Sequence, residues 1–283
     1  VLFTLSVQEF VSCAPNPHHC GGTGGCAGST AELAFSFAIQ HGITEEWSFG
    51  YASGQGAAVQ CSILDRPKLG DADEHHVANS AEELSTEVNR SPVRVHRGSS
   101  AARRRHLVGD RTSNISNDPS NRTFVDNAVA SIESFANLPG NSYDSLMAVV
   151  AHIGPVVVNV AAAGWSLYSG GVFDDEQVTN RDINHVVVLE GYGTDEDSGL
   201  DYWLVRNSYG PTWGEKGYIR LKRVDPATLE DPESDCRMDV TPAEGISCTI
   251  DGGGKTVQPN PVKVCGTSGI LYDGVVPLGG HLI

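Results

Sequence analysis

Two polar residues at the ends of apolar runs, His185 and Asn207, have the types needed for acid–base chemistry. Imidazole is the side chain whose charge changes near neutral pH. An amide oxygen accepting the proton of one ring nitrogen holds the ring in one orientation and leaves the other nitrogen facing a nucleophile. A lone histidine beside a strand is ordinarily structural, so the case depends on what positions the pair.

The segment around them reads as a three-strand meander. Val186, Val187, Val188 and Leu189 form an apolar, β-branched run that stops at Gly191, Tyr192 and Gly193. Polar TDEDSG makes the turn. Tyr202, Trp203, Leu204 and Val205 form a second strand, and GYIRLK from Gly217 alternates as a third. His185 stands at the mouth of the first strand and Asn207 at the end of the second, where antiparallel neighbours would bring the two within hydrogen-bonding reach.

N-H-x-V-x-x-x-G-Y-G followed by Y-W-x-V-x-N-S-x-G-x-x-W-G-E-x-G-Y-I-R resembles the papain (cathepsin) family of cysteine peptidases. The resemblance covers about residues 1–65 and 123–240. It implies an α+β, papain-like fold of two halves, with a Cys-His-Asn site in the cleft between them. His185 would be general base and acid, and Asn207 the orienting amide. It implies peptide-bond hydrolysis without metal or organic cofactor, protein or peptide substrates, and a pro-segment or cystatin-like inhibitor as further partner. It also implies a lysosomal, vacuolar or secreted location. Tyr209 stands where the family has a tryptophan that shields the His–Asn hydrogen bond. Among substrate-binding residues, the resemblance points to Gly28 (with Gly24 and Gly25 as alternatives) on the cleft wall and Asn184 beside the histidine. Ile183, with Asn159, would wall the pocket for the second substrate residue. Trp213 would line the leaving-group side.

LSVQEFVSC resembles the helix that follows the family's nucleophile, and no C-x-x-C motif occurs. The expectation is a fragment that starts downstream of its catalytic cysteine, with the helical half incomplete. Cys26 precedes the amphipathic stretch AELAFSFAIQHG, which reads as a helix ending at Gly42. A cysteine near a helix start would be activated, but the run CGGTGGCAGS resembles the family's structural C-N-G-G loop, whose cysteine pairs near the nucleophile. Cys13 and Cys61 match the ends of a second family disulfide. Cys20 lies in PNPHHCGG, read as a solvated loop because three adjacent side chains rarely close a metal site. Cys236, Cys248 and Cys265 would give one disulfide and one odd thiol, with three pairings open.

Composition sets the outer limits. The 283 residues carry a net charge of −16, which argues against nucleic acid as partner. No apolar run reaches membrane-spanning length, and VLFTLSVQEF lacks the basic flank and long apolar core of a signal peptide. Seven cysteines favour an oxidising compartment. Residues 66–122 contain no Phe, Trp or Tyr and hold ten of the 19 Lys and Arg, so they read as a disordered insertion, with AEELSTEVNR suited to a short helix and three glycosylation sequons. The expected organisation is therefore 1–65 as the rest of the helical half, the insertion over 66–122, 123–235 as the β-barrel half, and 236–283 as a cysteine-containing extension. Within the barrel half, a helix should start at Ser142 and stop at Gly154-Pro155, with Leu146, Val149, Val150 and Ile153 on one face. Val156 to Val160 should be a buried strand and Trp165 core packing. The alternative function is a catalytically inactive papain-fold module that binds or regulates. A nucleic-acid binder built on Arg103, Arg104 and Arg105 lacks aromatic stacking partners.

Overall fold

The computed structural model describes residues 4–64 and 122–283. The expected insertion therefore lies, but for its last residue, outside the described residues, together with its short helix, sequons and arginine run. The chain first forms α1 (Val7–Cys13), α2 (Ala31–His41) and β1 (Ile43–Thr44). It continues through β2 (Ala128–Ser131), β3 (Ser134–Asn137), α3 (Tyr143–His152), β4 (Val156–Val160) and β5 (Val172–Phe173). The meander follows as β6 (His185–Thr194), β7 (Asp201–Arg206) and β8 (Tyr218–Lys222). Last come β9 (Cys236–Asp239), β10 (Val262–Cys265), β11 (Gly274–Leu278) and β12 (His281–Leu282).

A seven-stranded sheet in the order β3-β11-β4-β6-β7-β8-β5 dominates, antiparallel throughout except where β5 joins β8. Its strands alternate as their sequences require. Val156, Val158 and Val160 of β4, Trp203 and Val205 of β7, and Ile219 and Leu221 of β8 all face one core. Each such buried aliphatic side chain contributes about 1.5–3 kcal/mol. Helix α3 covers that core with Leu146, Val149 and Val150. Ser142 caps its start, accepting from the Ser145 N–H at 3.3 Å. Ile153, expected on the same face, is 50% exposed, because it is the C-cap residue and turns away from the last helical turn. Trp165 is fully buried, and its Nε1 donates to Ser268 Oγ at 3.1 Å.

The first strand of the meander runs past the glycines that were expected to end it. Gly191, Tyr192 and Gly193 remain paired with Leu204, Trp203 and Tyr202, so β7 sustains the ladder where side chains are lacking. At the other end the third strand begins one residue later than expected, at Tyr218. Residues 236–283, expected as an extension, run into the sheet: β11 lies between β3 and β4. Cys13–Cys61 forms as the resemblance implies. Cys236–Cys265 closes the β9–β10 ladder, while Cys248 pairs with Cys20, so the odd thiol is Cys26. The 18–22 loop is thereby stapled rather than free, since backbone bonds Ile250 N–His18 O and Gly21 N–Ser247 O align the two segments.

The smaller half is tied by buried polar groups on α1. Gln8, fully buried, accepts from the Ala52 and Ser53 N–H groups and donates to Ser12 and Ser53 hydroxyls. Glu9, equally buried, accepts from Thr44 N at 2.7 Å and Thr44 Oγ1 at 2.9 Å, while its Oε1 has no partner among the described residues. Burial, partly offset by these hydrogen bonds, raises the Glu9 carboxyl above the usual 4.5. A carboxyl raised on folding contributes stability below its unfolded value and loses it as pH climbs through the folded one. The urea midpoint of Glu9→Gln should accordingly change less than wild type between pH 4.5 and 7. Parallel pH dependence in the two proteins would contradict this account.

Candidate active site

His185 opens β6 opposite Val160 of β4. Asn207 directly follows β7, its N–H donating to Gly217 O at 2.9 Å. What makes the two meet is a β-bulge. Val188 pairs with Arg206 and Leu189 with Val205, but Gly191 pairs with Leu204, so Glu190 is the extra residue. Continued in that register, Asn207 comes level with Val187. It therefore shares a face with His185, which lies two residues along. The bulge residue is held by its own partner, since Tyr218 OH donates to Glu190 Oε2 at 3.0 Å.

The His185 Nε2 to Asn207 Oδ1 distance is 2.8 Å. The same Oδ1 lies 2.7 Å from the Ser208 N–H. An atom facing a backbone donor at that distance must be the amide oxygen. It follows that His185 Nε2 carries a proton and donates, leaving Nδ1 for the cleft. Asn207 is 8% exposed, and its Nδ2 has no partner among the described residues.

An aromatic wall surrounds the imidazole. Tyr209 lies over it at 5.1 Å between ring centroids, and Trp165 meets it edge-on at 6.1 Å. Trp213 packs T-shaped on Tyr209 at 5.2 Å and stacks on Trp165 at 6.2 Å, its Nε1 donating to Trp165 O. Tyr209 is 48% exposed, so the cover over the His–Asn hydrogen bond is open at its edge.

Behind this wall sits an ionic clamp. Arg220 grips Glu215 with Nε and Nη2, at 2.8 and 2.7 Å, and reaches Asp195 with Nη1. These bonds hold the Glu215 carboxyl below its ordinary range. Asp195, bonded first by Ser198 and then by Arg220, falls to about 2. Glu215 also accepts from the Gly171 N–H at 2.9 Å, tying the Trp213 loop to the Gly170–Gly171 turn. Tyr168 OH donates to Gly171 O, and burial is the main cause that raises its phenol above 10.0. On the other flank Arg181, 1% exposed, is chelated by Asp175 and Asp235 and fixes the loop leading into His185.

A recess of about 230 Å³ opens beside His185. Gly28 and Asn184 line it together with His185, as does Asn159. Gly28 has φ +96°, and a Cβ there would stand 2.3 Å from Gly21 O, so the wall admits no side chain. Asn184 is exposed, and its Oδ1 accepts from the Ala162 N–H. Ile183 is fully buried, with Gly245 and Gly269 directly against it, so it backs the recess and presents no surface to a ligand. Trp213 belongs to the aromatic wall and not to the recess lining. Sequence reasoning missed Glu244 and Gly245, which come from the late part of the chain to complete the rim. The signal available was Cys248, whose partner Cys20 draws that part toward the recess. Cys26 is exposed, contacts Ala57 O at 3.8 Å through sulfur, and does not line the recess. Cys20, being disulfide-bonded, is no metal ligand.

A model of the papain family cysteine proteases matches residues 1–241. The chain belongs to that family. It is 46% identical over 225 residues to vignain from Vigna mungo, covering 78% of this chain and 42% of the relative. Oryzain beta chain from Oryza sativa subsp. japonica is 32% identical over 225 residues, covering 78% and 33%. Cathepsin L from Sarcophaga peregrina is 44% identical over 91 residues, covering 31% of this chain and 26% of the relative. The chain thus spans well under half the length of these relatives. Among solved structures, bromelain from Ananas comosus superposes with a TM-score of 0.54 at 22% identity, over 99% of this chain and 80% of that one. The α+β papain-like fold is common to both.

The half-exposed Tyr209 makes a prediction about this papain-family site. Truncation in Tyr209→Ala should expose the His185–Asn207 hydrogen bond and speed exchange of the His185 Nε2 proton at least about tenfold, read by NMR. Unchanged exchange would show that Trp165 and Trp213 shield the bond without Tyr209.

Proposed function

We propose that this chain carries the His/Asn part of a papain-type Cys-His-Asn peptidase site, and that the nucleophilic cysteine is supplied from upstream of Val1. The observation that carries the reading is the oriented imidazole, with Nε2 committed to Asn207 Oδ1 and Nδ1 left for a thiol. Six of the seven cysteines are in disulfides, and Cys26 stands outside the recess, which supports a nucleophile from elsewhere.

In this reading His185 Nδ1 takes the thiol proton, giving a thiolate–imidazolium pair. The sulfur attacks the peptide carbonyl carbon, forming an S–C bond. His185 returns the proton to the leaving nitrogen as the C–N bond breaks. Water then attacks the acyl-enzyme, His185 accepts its proton, and the S–C bond breaks to release the acid and restore the thiol. Asn207 holds the ring through both halves of the cycle, and Tyr209 with Trp213 keeps one side of it dry. Substrates are peptide bonds in proteins or peptides, bound along Gly28 and Asn184. A pro-segment or a cystatin-like inhibitor would occupy the same cleft. Three disulfides suit a lysosomal, vacuolar or secreted location.

The test compares this chain with a form extended upstream, each assayed on fluorogenic dipeptides at mildly acid pH. The extended form should hydrolyse them, lose activity to a thiol-alkylating epoxide, and fall at least about 10²-fold in His185→Ala. This chain alone should be inert. Silence from both forms would favour a binding or regulatory papain-fold module, and activity from this chain would point to Cys26.

A further inference from the structure

The recess beside His185 draws polar groups from two places. One is β4, where Asn159 interrupts the run VVVNV. Residues 156, 158 and 160 face the core, so Asn159 points to the opposite side. It is 2% exposed, and its Nδ2 donates to Asp273 Oδ2 at 2.6 Å, which leaves its carbonyl oxygen as what it can offer a ligand. The other is Glu244, which lies past the family match over residues 1–241.

Glu244 is held in place by backbone. Its N–H donates to Thr241 O, Ser247 N–H donates to Pro242 O, and Gly21 N–H donates to Ser247 O. Gly245 next to it packs so closely that a Cβ would stand 2.5 Å from Ile183 O. The Cys20–Cys248 disulfide closes the same arrangement from outside. The Glu244 side chain is exposed and makes no ion pair or hydrogen bond among the described residues. No lysine or arginine is among the residues lining the recess.

From this arrangement we infer that Glu244 is a specificity-determining residue, and that the recess takes a cationic side chain, Arg or Lys, of a peptide ligand. A carboxylate on the rim and an amide oxygen on the floor are acceptors, and a guanidinium or ammonium brings only donors. The acidic body of the chain favours the same ligand at longer range. The inference rests on the peptidase reading for what the bound peptide is, but the charge preference can be measured without turnover.

The first arm of the test is binding. The 283-residue chain is titrated with Nα-acetyl-arginine amide and with the leucine counterpart, following the His185 ring protons by NMR. The arginine amide should bind about tenfold more tightly, the effect of one charge-assisted contact. Glu244→Gln should level the two, and Glu244→Lys should favour leucine. Equal affinities in wild type, or a preference that survives Glu244→Gln, would overturn the inference. The second arm uses the upstream-extended protein and dipeptide substrates with Arg or Leu second from the scissile bond. There the Arg-over-Leu ratio of kcat/KM should drop about tenfold in Glu244→Gln while Leu turnover persists. Absent turnover with the binding preference intact would sink the peptidase reading and leave the recess assignment standing.

Discussion

The site depends on one irregularity in one ladder. The β6–β7 pair carries a single extra residue, Glu190, and that shift decides which face of the sheet Asn207 joins. Side chains alternate with a period of two, so if the register of Gly191 and Leu204 ran on without the shift, Asn207 would come level with Val188 instead of Val187. His185 and Asn207 would then lie on opposite sides of the sheet. The hydroxyl of Tyr218 on Glu190, and Arg206 at 3.7 Å from the same carboxylate, hold the extra residue in the ladder. The imidazole geometry is therefore set by strand pairing, and the aromatic wall only shelters it.

Electrostatics support the same region by economy of cations. The chain has 35 acidic residues against 19 Lys and Arg. Several cations around the large sheet each hold two acids: Arg181 holds Asp175 and Asp235, Arg220 holds Glu215 and Asp195, and Lys222 holds Asp174 and Glu176. Each of these cations joins segments remote in sequence, so acid–acid repulsion is converted into cross-links between loops. Surface pairs of this kind are individually worth little. Arg181 is different because it is fully enclosed, and four of its five guanidinium N–H groups are bonded to Asp175 and Asp235.

Much of this was legible in the sequence. The alternation of YWLV and YIRLK, the Ser142 cap and the apolar VVVNV run each state their structure locally. The histidine and asparagine were visible because each terminates such a run. The bulge was not legible, since nothing about Glu190 distinguishes it from a paired residue, and the strand appeared to stop at its glycines. Nor was the fate of Cys20 and Cys248, which stand 228 positions apart and carry no local sign of their pairing. GVVPL and VKVC are too short to announce strands. Their place is decided by the edges of β3, β4 and β9 that they cover, which is a tertiary fact. Glu244 escaped notice for the same reason: its meaning comes from Ile183 and Gly21, which the fold sets beside it.

The position of β11 has a consequence for how the molecule is made. Residues 274–278 lie between β3 and β4, strands that leave the ribosome more than a hundred residues earlier. Until β11 arrives, the edges of both strands stay unpaired, and β12 has yet to join β2. Open edges of that kind template pairing between chains, and closing them late is slow because the contacts are remote in sequence. The nascent chain therefore keeps these edges open until residues 274–282 have emerged, and β11 with β12 closes them.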